Sequence, residues 1–298
     1  MNNQRIVPHL WFDNEAQEAV DYYMQTFPES EIISDVTFTD TPSGDAKQLT
    51  FNIFGYKFMA INAGPYFTKN PSISFTVLFN QSEVALLDKV WTALAHNGKI
   101  MMELDTYDFS EKYGWLEDQF SVSWQLLITD QPFDDRIRPS FMFINENVGR
   151  AEEAINYYTS VFKNSGDISK FYYPEGMDPD KPDTLAHAEF KLEDQYFVAL
   201  DSAHKHEFNL NEGISLMLFL EDQQEIDYYW DKLSAVPEAE QCGWVKDQFG
   251  VSWQIVPKIM DQMAEEGTPE QISNVTKAFL KMKKFDVETL IKAYEGNL

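Results

Sequence analysis

Over residues 16–27 the apolar positions keep helical spacing: Ala16, Ala19, Val20, Tyr23 and Phe27 fall at i, i+3, i+4, i+7 and i+11. That is the stripe of an amphipathic helix. Ahead of it, residues 5–12 (RIVPHLWF) form a short apolar run with a proline near its start, which predicts a strand. Asn14 with Gln17 predicts a capping box between the two. Strands follow at about 31–39, 47–54 and 57–62, the last pair joined by a hairpin turn at Phe54-Gly55-Tyr56-Lys57. The order then restarts with a strand at 72–79, a helix at 82–96 and strands near 99–104, 113–118 and 122–128. Strand, helix and three strands are thus written twice by residue 130.

The pattern then returns as sequence. Residues 114–126 read GWLEDQFSVSWQL and residues 243–255 read GWVKDQFGVSWQI, identical at nine of thirteen positions. Upstream, the helix stripe recurs as Ala151, Ala154, Ile155, Tyr158 and Phe162, and FMAIN at 58–62 is echoed by FVALD at 197–201. Trp91, Trp115 and Trp124 pair with Trp230, Trp244 and Trp253. The chain is a tandem duplication, with domains at 1–130 and 135–257. The copies are unequal: 21 positions separate Leu94 from Trp115, but 11 separate Leu233 from Trp244. A strand or hairpin is shortened there, which is expected to remove a wall from the second copy's pocket. Residues 258–298 are unrepeated and predict helices: Thr268-Pro269-Glu270-Gln271 is a capped start, and Asp286 can cap a last short helix. The Lys277, Lys281, Lys283 and Lys284 cluster reads as the solvated face of a docked helix.

Composition narrows the chemistry. With 23 basic against 49 acidic residues the formal net charge is −26, which argues against nucleic acid or an anionic membrane as partner. Hydrophobic residues at 44% place the chain among folded globular proteins. A single cysteine, Cys242, excludes internal disulfides and multi-cysteine metal clusters, and is expected to be core or wall filler. The first residues contain no apolar h-region, and no stretch approaches eighteen uninterrupted apolar residues, so a soluble, cytoplasmic protein is expected. Glycines approach within seven residues only at Gly243 and Gly250, so no G-x-G turn exists to cradle a dinucleotide or a methyl donor. H-E-x-x-H, C-x-x-C and G-x-S-x-G are likewise missing.

The opening IVPHLWFDNEAQEAVDYY, the segment TLAHAEFKLEDQYFVALD and the ending CGWVKDQFGVSWQIVP resemble the PhnB-like group, labelled "3-demethylubiquinone-9 3-methyltransferase domain", of the glyoxalase/bleomycin-resistance (vicinal oxygen chelate) superfamily. The resemblance covers nearly the whole chain, including the tail. It implies an α+β fold of tandem glyoxalase-like domains. Each domain holds two βαβββ modules forming a curved, mostly antiparallel sheet, with C-terminal helices added. Each half is then expected to close its own two modules into one sheet. The boundary would fall near 130–137, giving a monomer with an internal pseudo-dimer, or a homodimer. Methyl transfer is not expected, because the chain offers no turn to hold the nucleotide.

In glyoxalase-like members of the superfamily two His and two Glu typically hold a metal. Carried over, the positions fall at Gln125 and Gln254, at Ser72 and Gly213, at His9 with Ser140, and near Asn62 and Asp201. Neither copy assembles four imidazole or carboxylate donors, so neither a metal nor another cofactor is expected. The superfamily binds ligands on the concave sheet face. There Trp11, Trp115, Trp124, Trp244 and Trp253 are candidates to stack a flat molecule, with Gln125 and Gln254 to orient it. His9, His187 and Asp201 complete the candidate set. Three functions compete: a metal-independent binder of a small hydrophobic or aromatic molecule, a metal-dependent lyase, isomerase or dioxygenase, and an interaction module without ligand.

Overall fold

A computed structural model of the chain describes residues 4–41 and 44–297. The first module comprises β1 (Ile6–Phe12), α1 (Ala16–Thr26), β2 (Ser30–Thr41), β3 (Gly44–Ile53) and β4 (Tyr56–Asn62). The second comprises β5 (Ile73–Phe79), α2 (Val84–Ala95), β6 (Lys99–Tyr107), β7 (Ser110–Glu117) and β8 (Ser123–Ile128). The third runs through β9 (Ile137–Ile144), α3 (Ala151–Val161), β10 (Gly166–Tyr172), β11 (Leu185–Leu192) and β12 (Gln195–Ser202). The fourth has β13 (Ile214–Leu220), α4 (Gln223–Leu233), β14 (Trp244–Lys246) and β15 (Ser252–Pro257). The tail adds α5 (Ile259–Glu266), α6 (Pro269–Phe279) and α7 (Val287–Tyr294).

The apolar runs become the central strands. Every residue of β5, β9 and β13 is buried, because each strand has one face under helices and the other inside the sheet's curve. Outer strands such as β11 alternate between buried and half-buried positions, as one solvated face requires.

Sheet assembly departs from the expectation that each half closes on itself. One sheet runs β14-β15-β13-β1-β4-β3-β2 and the other β10-β11-β12-β9-β5-β8-β7-β6. The first module therefore pairs with the fourth, through antiparallel β1 and β13, and the second with the third, through antiparallel β5 and β9. The compact units follow the sheets: one gathers residues up to 21, 30–68 and 211 onward, the other 22–29 and 69–210. The duplication unit and the folding unit differ, so the breaks lie near 68 and 210, away from 130–137. The physical reason is that β1 and β9, the first strands of their modules, stand at the edge of those modules' strands and are largely apolar. The first strand of a module from the other repeat covers that edge, β13 on β1 and β5 on β9.

Two local expectations are also corrected. Asn14 and Gln17 form no capping box: the Ala16 N–H at the start of α1 donates to Asn62 Oδ1, 2.7 Å away at the end of β4, and Gln17 Nε2 reaches Asp21. The shortening after Leu233 deletes the counterpart of β6, but no wall is lost. The Cys242 N–H donates to Met282 O (2.9 Å) and the Gly243 N–H to Lys283 O (2.7 Å), so the tail occupies the vacated edge. Thr268 and Gln271 form the anticipated capping box, with Pro269 in the first turn, and Asp286 caps α7 through the Thr289 N–H at 2.7 Å. Lys283 and Lys284 pair with Glu240 (3.1 Å) and Asp227 (2.7 Å), which fastens the docked tail. Among the described residues no helix is long and apolar enough to cross a membrane.

Candidate functional site

The site of the first unit is built from alternation along its central strands. Leu10, Leu216, Leu218, Trp253 and Ile255 point one way, into a core without solvent. Their neighbours His9, Met217, Gln254 and Val256 point the other way, toward a cavity of about 530 Å³. The tail closes it: Met263 of α5, Val275 and Phe279 of α6, and Phe285 beyond them join its wall. The same side chains form one apolar cluster with Met59, Met217 and Phe219 of the sheet.

At the mouth, Trp11 organises an aromatic group. Its ring lies edge-on to Phe67 (centroids 5.0 Å apart), Trp244 (6.1 Å) and Tyr66 (6.5 Å). Its Nε1–H donates to Gly64 O at 2.7 Å, so the indole is fixed by its polar edge. Trp244 in turn lies edge-on to His9 at 6.2 Å.

The polar side chains of the cavity include His9, Gln48, Gln241, Gln254 and Asp261. His9 is 2% exposed, and burial lowers its imidazole pKa to about 3, so the ring is neutral across the physiological range. Its Nδ1 is buried without a hydrogen-bond partner among the described residues. Gln254 Nε2 donates to Ser215 Oγ at 2.9 Å, which leaves the amide oxygen as its accepting end. Asp261 on α5 also lines the cavity, and burial raises its carboxyl pKa despite Lys57 nearby. Cys242 is a wall residue, its thiol pKa pushed up by burial, which suits filler better than a nucleophile.

Across the central strands the row facing this cavity reads Met59, His9, Ser215 and Gln254. The matching row of the other sheet reads Val198, Ser140, Ser74 and Gln125. These correct the positions carried over from the resemblance: Ser215 and Ser74 stand where Gly213 and Ser72 were expected, and Met59 and Val198 where Asn62 and Asp201 were. Asn62 and Asp201 serve helix starts instead. Asp201 Oδ1 accepts from the Gly149 N–H (2.7 Å) and the Ala151 N–H (3.2 Å), and its Oδ2 from the Leu185 N–H (3.0 Å). One imidazole and no carboxylate in eight positions does not fit a divalent metal of the glyoxalase kind. Among the described residues no group of three or more His, Cys, Asp or Glu could hold a metal ion.

The second unit presents a polar face. Gln125 uses both ends of its amide, donating to Ser74 Oγ (2.8 Å) and accepting from the Tyr113 hydroxyl (2.9 Å). Thr76 and Ser140 share a hydrogen bond of 2.8 Å. Arg138 is paired with Glu189 and stacks on Tyr196 at 4.6 Å, and His187 lies 3.8 Å from Glu189. The His187 imidazole and the Arg138 guanidinium beside it hold the Glu189 carboxyl below its ordinary range, against the opposing effect of its partial burial.

The sequence candidates therefore divide. The structure brings His9, Trp11, Trp244 and Gln254 together at one cavity. Trp115, register partner of Gln125, shares the second unit's face with Gln125, its Nε1–H donating to Ser123 Oγ at 2.7 Å, and His187 lies beside Glu189. Trp124 and Trp253 belong to neither face: both are fully buried on the helix side. Each Nε1–H donates to a buried aspartate, Trp124 to Asp118 at 2.9 Å and Trp253 to Asp247 at 2.8 Å. Those aspartates also accept from main-chain N–H groups two and four residues on, so the repeated D-Q-F-x-V-S-W is a turn pinned by its own tryptophan. Sequence reasoning missed Met59, Met217 and the tail's contribution. Counting alternate residues from His9 along the paired strands finds the first two, but nothing local places the tail.

Paired modules, mixed sheets with an open curved face and helices behind define a glyoxalase-like fold. Over its length the fold is that of glyoxalase I from Zea mays, at 11% identity and a TM-score of 0.54, covering 88% of this chain and 97% of that one. The chain belongs to the 3-demethylubiquinone-9 3-methyltransferase family, whose model matches residues 4–127 and again 135–256. It is similar to the PhnB protein of Bacillus cereus, at 34% identity over 42% of this chain and 100% of that one, with a TM-score of 0.39. Protein PA1353 of Pseudomonas aeruginosa matches at 23% identity over 42% of this chain and 98% of that one, with a TM-score of 0.36. No curated protein matches the chain.

Proposed function

We propose that the protein is a metal-independent small-molecule binding protein, and that it holds a largely apolar molecule in the cavity of its first unit. The observation that carries this reading is the cavity itself. A pocket of about 530 Å³ lies within the range of ligand sites, and its walls are methionine, phenylalanine, tryptophan and valine. A buried imidazole with an unmatched nitrogen costs free energy that a bound hydrogen-bonding ligand would recover. The donor row facing the cavity lacks the carboxylates a metal-dependent lyase or dioxygenase would require, and the family's name finds no nucleotide-holding turn in this chain.

A ligand that binds only the folded state raises the melting temperature. A thermal-shift screen of apolar and aromatic compounds should yield hits on the wild-type chain that weaken in Gln254→Leu and persist in Gln125→Leu. No stabilising compound, or hits equally affected by both substitutions, would remove the first unit's cavity as the binding site.

A further inference from the structure

We propose that α5 and α6 form a lid on this cavity, hinged at both ends, which opens to admit the ligand and closes upon it; the inference rests on the reading of the cavity as a ligand site. The lid is defined by where the tail is fastened. At its start the Lys258 N–H donates to Leu220 O at 2.8 Å, and Lys258 Nζ meets Glu221 at 2.8 Å. At its end Leu280 O accepts from Gln241 Nε2 at 3.3 Å, and Met282 O and Lys283 O accept from the N–H groups of Cys242 and Gly243. The Gln223 amide then donates to Phe285 O (3.1 Å) and accepts from the Val287 N–H (2.9 Å). Between these fastenings, among the described residues, no hydrogen bond or ion pair joins residues 259–279 to the sheet or to α7. The hydrogen bonds they make stay within residues 258–282.

What holds the lid shut is apolar contact. Met263, Val275 and Phe279 rest against the sheet, with Phe279 edge-on to Phe38 and centroids 6.0 Å apart. Lys57 attracts the Asp261 carboxylate, but the two form no ion pair. Such contacts are non-directional, so they part and re-form without stranding a donor or an acceptor. The cavity's other boundary is pinned: the Trp11 Nε1–H donates to Gly64 O at 2.7 Å, and the ring packs edge-on to Phe67 and Trp244. The lid's inner face also has more to bury. Met260, Ile272 and Phe279 line the cavity yet are half-buried, so a ligand filling the space covers their apolar surface and favours the closed state. The unbranched side chains of Met260 and Met263 suit a surface that closes over different shapes.

The probe for the test is N-phenyl-1-naphthylamine, uncharged, aromatic and fluorescent once out of water, used on the full chain. With the probe at about ten times its Kd, amide exchange over residues 259–279 should slow about tenfold, with α7 changing by less than about twofold; the larger factor is the 1 + [L]/Kd expected when the open state cannot bind. That measurement needs no variant. Gly267, at the junction of α5 and α6, lies outside the cavity lining. A Cβ there would collide with the Met263 carbonyl and crowd the Tyr294 ring at 3.1 Å, which disfavours the closed lid. In stopped-flow fluorescence Gly267→Ala should speed probe entry and exit together by roughly fivefold or more, with Kd within about twofold because the closed form still dominates. A static wall would leave both rates unchanged. Binding without slower exchange over 259–279, slowing that runs equally through α7, or rates untouched by Gly267→Ala would overturn the lid and leave a ligand site entered through its mouth. If the probe does not bind, the lid and the proposed function fall together.

Discussion

His9 is held neutral at a cost that pH can expose. In the unfolded chain the imidazole takes up a proton near its ordinary value of 6.5, whereas the folded chain refuses it until about 3. Its folded pKa is lowered, so its contribution to stability is complete above about 6.5 and is lost as pH falls toward 3. At the steepest the loss approaches about 1.4 kcal/mol per pH unit. Carboxylates titrate in the same window, so the comparison must be a difference: urea midpoints from neutral to acid pH should fall more steeply in the wild type than in His9→Leu. Parallel curves would mean that the ring is hydrated and not desolvated. Asp247 makes a complementary case. Its carboxylate receives the Trp253 Nε1–H and the Phe249 and Val251 N–H groups in the interior, so Asp247→Ala strands three donors and should cost roughly 3 kcal/mol or more by urea denaturation. A loss under about 1 kcal/mol would show that water replaces the carboxylate. These two residues also mark what was legible. His9 was found because the family resemblance places a first-strand ligand position there. Trp253 was singled out too, but spacing alone does not say which face of a strand points to ligand, and the aspartate six residues earlier decided it.

At the scale of elements, strands, helices and caps were readable because each depends on neighbours close in sequence. Thr268 three residues before Gln271, with Pro269 between them, marks a capping box that forms, whereas the same spacing at Asn14 and Gln17 does not, because Asn62 takes the helix start there. What escaped was every decision made by distant partners. Asn62 caps α1 from 46 residues away, and the tail settles on an edge opened by a deletion near Leu233. That docking depends on Gly243, whose φ of +82° is favourable only to glycine and where a Cβ would come within 2.5 Å of Phe285. Gly243→Ala is therefore expected to loosen α6 and α7 without melting the sheet. Phe285→Ala, which removes a ring that is 3% exposed, should do the same at a cost of roughly 3–5 kcal/mol to the docked state. Amide exchange resolved by segment is the measurement. Faster exchange confined to residues after 258 supports the docking, and unchanged exchange there shows that other contacts hold the tail.

At the scale of the molecule, duplication and folding follow different partitions of one chain. The repeats are joined by residues 129–136, yet every sheet takes one module from each repeat, through β1 with β13 and through β5 with β9. A chain cut between the repeats should then stay together. Each piece would carry two modules whose largely apolar first strands are paired on one side only, the other edge having lost its partner to the other piece, and association is the route that covers them. The repeat in the sequence revealed the modules but not their partners, because all four first strands carry similar apolar runs and pairing among them is settled by the whole chain. A protease site inserted at 130–135 tests the assignment. After cleavage the protein should elute at its native size and separate into two pieces only in denaturant. Each repeat expressed alone should dimerise or aggregate, whereas the two expressed together should form a one-to-one complex that regains the uncut protein's melting temperature to within a few degrees. Two stable monomeric pieces after cleavage would mean that each repeat closes its own sheet, and the pairing of β1 with β13 would have to be abandoned.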